Sequence, residues 1–236
     1  MLRYLTVLFF AAMVFMNYLA NSLPINGKTT GDVSAAYPNL FVPAGITFSI
    51  WGIIYLLLAV YCVMLFMPDS KEIASRINWL FIISCVLNGL WIVAWHYQKL
   101  PWSLLIMAGL LVTLIMINLQ IRELSPGWVK AAFGIYLGWI CIATIANVTA
   151  LLVDTGWNGF GIQPQTWSII MIAAGAIIVS LTLLRINNPF IGLAVVWAFT
   201  GIIIRRSEDY RSIVIAAIIG ILVVGIITLL GFLKKS

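Results

Sequence analysis

Charge is scarce in this chain. Of its 236 residues, 13 are Lys or Arg, seven are Asp or Glu and one is His, so 8% are charged while 63% are hydrophobic. With a mean hydropathy of +1.11, the apolar surface exceeds what a soluble core of this size can hide, and the solvent must be a bilayer. No polar stretch is long enough for a separate soluble domain. The carboxylates Asp32, Asp69, Glu72, Glu123, Asp154, Glu208 and Asp209 all avoid the middle of an apolar run, and so do the lysines and arginines. A proton- or sodium-coupled transporter needs such groups near the midplane, so that mechanism has no residues to carry it.

Other shortages narrow the chemistry further. The three cysteines, Cys62, Cys85 and Cys141, are odd in number and lie inside apolar runs, which suits packing and supplies no disulfide framework or metal site. The one histidine, His96, sits beside Trp95 near the end of an apolar run and reads as structural, with an axial contact to a haem-like ligand as the alternative. A phosphate-binding glycine motif and a nucleophile beside a base are both lacking, so enzyme activity has little support and no catalytic residue is assigned. The net charge of +6 is spread singly over the ends of apolar runs, a pattern that fits lipid headgroups and excludes nucleic acid as a partner.

What the chain does have is apolar runs of spanning length. They predict an all-α fold, a polytopic integral membrane helical bundle of about eight transmembrane helices. The spans fall at 4–21, within 40–67, and at 77–97, 101–121, 128–153, 166–184, 189–204 and 212–233. A signal peptide competes for the first, since Leu19-Ala20-Asn21 resembles a weak cleavage site, but Phe9, Met13 and Asn17 at helical spacing favour a retained helix. The 189–204 run is short, and a re-entrant segment with a seven-helix count stays open there. Between the spans lie a turn-rich segment with Pro24, Gly27, Lys28, Gly31, Asp32 and Pro38, a loop at 68–72, a turn at Ser125-Pro126-Gly127, a Gly-rich loop at 154–165 and a mixed-charge loop at 205–209. With eight spans, Arg3, Lys71, Arg76, Arg122, Lys130, Arg185, Lys234 and Lys235 share one side, and Lys28, Lys99, Arg205, Arg206 and Arg211 the other. The majority places both termini in the cytoplasm, most simply of a bacterial cell membrane.

Three runs carry aromatic faces. Phe48, Trp51 and Tyr55 follow at i, i+3 and i+7, Pro43 suits the first turn of their helix, and Gly45 allows close approach of a neighbouring backbone. Asn88, Trp91 and Trp95 share a face of the third span, and Tyr136, Trp139, Ala143 and Asn147 lie within about 80° of one another on the fifth. Each stripe suits helix packing or a pocket wall. The fourth span is mostly Leu, Ile, Met and Val and is assigned to packing, and Ala173-Ala174-Gly175-Ala176 suggests close packing in the last third.

Trp51 and Tyr55 behind Pro43, Leu87-Asn88-Gly89-Leu90-Trp91, and Tyr136-Leu137-Gly138-Trp139 with Ala143 and Asn147 appear in order on the second, third and fifth spans. In these motifs the chain resembles the TspO/MBR family, the tryptophan-rich sensory proteins also called translocator proteins or peripheral benzodiazepine receptors. It departs where the family has a second proline, an extra Trp and a Phe (Val42, Gly45 and Thr47 here), and where Ile135 replaces the Pro before the fifth-helix Tyr. The resemblance covers residues 1–155 as a five-helix bundle and leaves 156–236 as three additional C-terminal helices. It implies a planar hydrophobic ligand, a porphyrin or other tetrapyrrole or a sterol-like molecule, held in an aromatic intramembrane pocket by a sensor or translocator, with 22–39 folding over it as a lid. The ligand-binding residues it points to are Phe48, Trp51, Tyr55, Asn88, Trp91, Trp95, Tyr136, Trp139, Ala143 and Asn147. No cofactor is required, a porphyrin or haem-like molecule being the ligand; the partners are the lipid bilayer and a hydrophobic small molecule, with a homodimer compatible. A small-molecule permease completed by the added helices and a light-dependent porphyrin-degrading activity are the alternatives.

Overall fold

The computed structural model describes residues 1–23, 25–124 and 127–234; Pro24, the expected turn at Ser125-Pro126, and Lys235 lie outside the described residues. The described residues form nine α-helices and no strand: α1 (Leu2–Ser22), α2 (Thr30–Ala35), α3 (Ile50–Met64), α4 (Lys71–His96), α5 (Leu100–Gln120), α6 (Trp128–Asp154), α7 (Pro164–Ile186), α8 (Phe190–Arg206) and α9 (Arg211–Leu233). Seven of them, taking Gly45–Met64 as one, are long and apolar enough to cross a membrane.

Helix α8, at 17 residues, is about 25 Å long, short of a hydrocarbon core of about 30 Å. It nevertheless traverses the bundle. Before its start, Asn188 donates to the Asn118 side chain and the Lys130 carbonyl, while Arg205 and Arg206 at its end donate to Pro43, Leu40 and Asn39 at the opposite end of the molecule. Eight of its 17 residues are buried, chiefly against α6 and α9, while Leu193, Trp197 and Ile204 stay exposed. The mixed-charge segment is also shorter than the sequence suggested, since Arg205 and Arg206 are the last two residues of α8.

Helices α1, α3, α6, α5 and α4 close a ring, each packed on the next, and α8 lies outside it against α6, followed by α9 and α7. One buried apolar cluster runs through both parts, with no break at residue 155. The seam between α6 and α8 depends on glycine. A Cβ on Gly134 would meet the Asn188 side chain, and one on Gly138 would run into the Ile191 carbonyl and the Ala194 methyl. Small residues let helices approach closely in a membrane, where packing and hydrogen bonds replace the hydrophobic drive.

Polar residues tie the helix ends. Lys130, 2% exposed, donates to the carbonyls of Arg122 and Asn187, which are orphan acceptors just past the ends of α5 and α7. Asn187 ends α7 in a left-handed conformation (φ 55°), which Asn tolerates better than most residues. Asn118, on the mostly aliphatic span assigned to packing, donates to the Phe133 carbonyl and accepts from Asn188.

Two local expectations are corrected. Residues 71–72, read as loop, open α4, where Glu72 pairs with Arg76 one turn on. Pro43 does not start a helix: the Ala44 N–H donates to the Gly201 carbonyl of α8, and helical backbone begins only with a 3-10 segment at Gly45–Ser49.

Candidate functional site

The segment before α3 builds a roof at the end of the ring opposite the termini. Thr29 and Asp32 cap α2 reciprocally: the Thr29 N–H and hydroxyl donate to Asp32 Oδ2 at 2.9 and 2.7 Å, and the Asp32 N–H donates back to Thr29 Oγ1 at 3.2 Å. The Thr29 hydroxyl, then its backbone N–H, hold the Asp32 carboxyl below the usual carboxylate range. The roof is fastened to the end of α4, where Trp95 Nε1 donates to the Thr30 carbonyl and Asn26 Nδ2 to the His96 carbonyl. It is also fastened to α8, where Trp197 Nε1 donates to Thr47 O and the two arginines donate to Pro43, Leu40 and Asn39. Tyr37 packs on Trp95, and burial, with the Asp154 charge second, pushes its phenol up.

Beneath the roof is a cavity in two chambers. The larger, about 380 Å³, has Phe48, Trp51, Tyr55 and Trp91 in its wall together with Asn17 and Arg205. The smaller, about 50 Å³, adds Trp95, Trp139, Ala143 and Asn147, and the two share Phe48, Trp51 and Trp91 as well as roof residues such as Thr30 and Ser34. The rings form two sets. Trp51 stacks on Tyr55 at 5.5 Å and Trp91 on Trp95 at 5.6 Å, while Trp139 presents an edge to Phe48 at 5.8 Å and to Trp51 at 6.3 Å. Such offset and edge geometries are the favourable ones for aromatic pairs.

Four polar atoms of this wall are buried without a hydrogen-bond partner: Tyr55 Oη, Trp91 Nε1, Trp139 Nε1 and Asn147 Nδ2. Asn147 uses only its oxygen, which accepts from the Ser103 hydroxyl at 3.1 Å. Buried polar groups are nearly always paired, and leaving one unpaired costs about 1–3 kcal/mol. All four are covered by neighbouring atoms, so an acceptor in the cavity reaches them only if a wall side chain shifts.

Of the sequence candidates, Asn88 and Tyr136 line neither chamber. Asn88 Oδ1 accepts from Asn17 at 2.7 Å and its Nδ2 donates to Tyr136 Oη at 2.9 Å, a chain that joins α1, α4 and α6. His96 is also outside the lining; Nδ1 lies 2.8 Å from the Ile92 carbonyl and Nε2 3.4 Å from Thr30 Oγ1, so both ring nitrogens are engaged. The wall offers ring faces and donors, with no histidine nitrogen for a haem iron. Sequence reasoning passed over Thr30, Ser34 and Arg205, which all face the larger chamber. The Thr29-x-x-Asp32 capping signature could have announced the helix that places the first two; no signal placed the third.

A family model described as TSPO-like protein matches residues 3–230, and so takes in α7, α8 and α9 as well as the five-helix ring. Among curated proteins and among solved structures, nothing matches. A ring of five spanning helices around an aromatic cavity, in a chain matched by that family over nearly its whole length, fits an integral membrane protein of the sensor or translocator kind; the chain belongs to the TSPO-like protein family.

Proposed function

We propose that this protein binds a planar hydrophobic molecule, a tetrapyrrole or sterol-like compound, in the roofed cavity and acts as its sensor or translocator. The observation that carries this reading is the set of stacked rings, Trp51 on Tyr55 and Trp91 on Trp95, lining a cavity of about 380 Å³ under the roof. The body of the ligand lies in the larger chamber, of a size usual for small-molecule sites. The smaller one admits an edge or substituent toward Trp139 and Asn147, past the small side chain of Ala143. Helices α7, α8 and α9 pack outside the ring, which favours a binding site within the ring over a separate path through the added helices.

Protoporphyrin IX is expected to quench the intrinsic fluorescence of the detergent-purified protein saturably, with weaker binding in Trp139→Ala and Asn147→Ala. Losing one hydrogen bond in a desolvated site predicts a roughly fivefold to tenfold rise in Kd for Asn147→Ala. Linear quenching, or identical curves for all three proteins, would mean partition into the micelle and would remove this reading.

We further place the termini in the cytoplasm. Tyr4 packs on Phe66 and Phe190 on Phe232, so both termini lie at one end of the bundle, where Arg3, Lys71, Arg76, Arg122, Arg185 and Lys234 also cluster. In a bacterial host, a C-terminal green fluorescent protein is expected to fluoresce and a C-terminal alkaline phosphatase to stay inactive; the reverse pattern inverts the assignment.

A further inference from the structure

Outside the larger chamber, towards the end of the bundle that carries the roof, lies a second basin of about 370 Å³. The two share Ser34, Ala35, Val42 and Arg205, so this group divides the inner space from the outer one. The two arginines at the end of α8 are used differently. Arg206 spends Nε and Nη2 on the carbonyls of Leu40 and Asn39, and its guanidinium lies 6.0 Å from the centre of the Tyr210 ring. Arg205 gives one nitrogen to Pro43 O at 3.3 Å, and its remaining donors are uncommitted. Among the described residues the two ion pairs are Arg76 with Glu72 and Arg122 with Glu123, so no carboxylate neutralises Arg205.

The cavity behind Arg205 holds no anionic acceptor for it. No Asp or Glu lines either chamber, and the nearest acid in the roof, Asp32, is turned onto Thr29. A neutral flat hydrocarbon would use the rings and leave the cation idle. A molecule with a flat apolar body and a carboxylate at its edge would use both the rings and the cation, because a guanidinium matches a carboxylate with two parallel hydrogen bonds.

We propose that Arg205 is the anchor for the carboxylate of an amphipathic organic acid whose apolar body lies against Trp51, Tyr55 and Trp91, which makes α8 a specificity-determining part of the site. This rests on the cavity being the ligand site. Its added content is that the ligand is an acid and that the charge sits at the mouth, with the uncharged end inward. An acid held this way enters from the outer basin and is oriented before its body is buried.

The test compares protoporphyrin IX with its dimethyl ester, which keeps the ring and loses the acids, on the wild type, Arg205→Gln and Arg205→Lys. The diacid is expected to bind Arg205→Gln roughly tenfold more weakly than wild type, and Arg205→Lys to fall between them. The ester is expected to bind all three within about twofold, since a displaced roof would weaken ester and diacid alike. If the diacid is indifferent to Arg205→Gln, or the ester suffers equally, the anchor is overturned while the cavity reading stands. If neither compound binds saturably to the wild type, the cavity reading fails and the anchor with it.

Discussion

Gly138→Ala is expected to destabilise the bundle by about 1–3 kcal/mol, the usual cost of forcing extra volume into a packed core, and Gly138→Leu by more. The added Cβ would overlap a backbone carbonyl of α8, at Ile191, which cannot turn aside as a flexible side chain could. Only a shift of α8 away from α6 relieves the overlap. That shift would loosen the Asn188 bonds to Asn118 and Lys130 at one end and the arginine bonds to the roof at the other. The control is Gly89→Ala in α4, where a Cβ meets nothing within 4 Å and the helix gains up to about 1 kcal/mol from the better helix former. The temperature at which each purified variant loses its monodisperse elution peak separates the two: Gly138→Ala below wild type, Gly89→Ala at or above it. Equal midpoints would show that the seam is not tight.

Asn88→Leu is expected to cost about 1–3 kcal/mol for the buried groups it orphans, while leaving ligand affinity almost unchanged. Asn88 is 0% exposed and serves as acceptor for Asn17 and donor to Tyr136. An apolar replacement strands both partners, although other partners found within the membrane can trim the loss. Substituting the whole chain with Asn17→Leu, Asn88→Leu and Tyr136→Phe removes the polar groups together and should recover much of the stability. Asn147→Ala behaves in the opposite way, weakening binding with a smaller effect on stability. Thermal midpoints and protoporphyrin titrations on the same samples distinguish the two asparagines. A loss of binding in Asn88→Leu at unchanged stability would place Asn88 against the ligand after all.

The contrast between these asparagines marks how far the sequence could be read. Helical periodicity puts Asn88 with Trp91 and Trp95, and Asn147 with Trp139, because residues at i, i+3, i+4 and i+7 share a face. It says which side an asparagine faces but carries no information on depth or partner. Asn88 meets two other polar residues beneath the cavity, whereas Asn147 meets one and keeps a free amide. The spans were legible for a related reason: long charge-free runs bounded by basic residues can only be membrane helices. The irregular start of the second span was not, because Gly45–Ser49 is held as a 3-10 segment by bonds to α8, far away in sequence. Arg205 at the cavity mouth was hidden for the same cause. A basic pair at the end of an apolar run looks like a membrane-interface signal, and only the packing of α8 on α6 carries it to the roof.

The roof's fixings also have an order in time. The carbonyls of Asn39, Leu40, Pro43 and Thr47 find their donors in Trp197, Arg205 and Arg206, separated from them by 150 to 167 residues. Chains are made from the N-terminus and tend to fold in that order, so the five ring helices can be assembled while those carbonyls still face water. Until α8 arrives, the vestibule stands open on that side. The last third of the chain thus acts as a closing clasp: a ribosome that stops after α6 leaves the roof tied to α4 alone, and only a longer polypeptide adds the second set of fastenings.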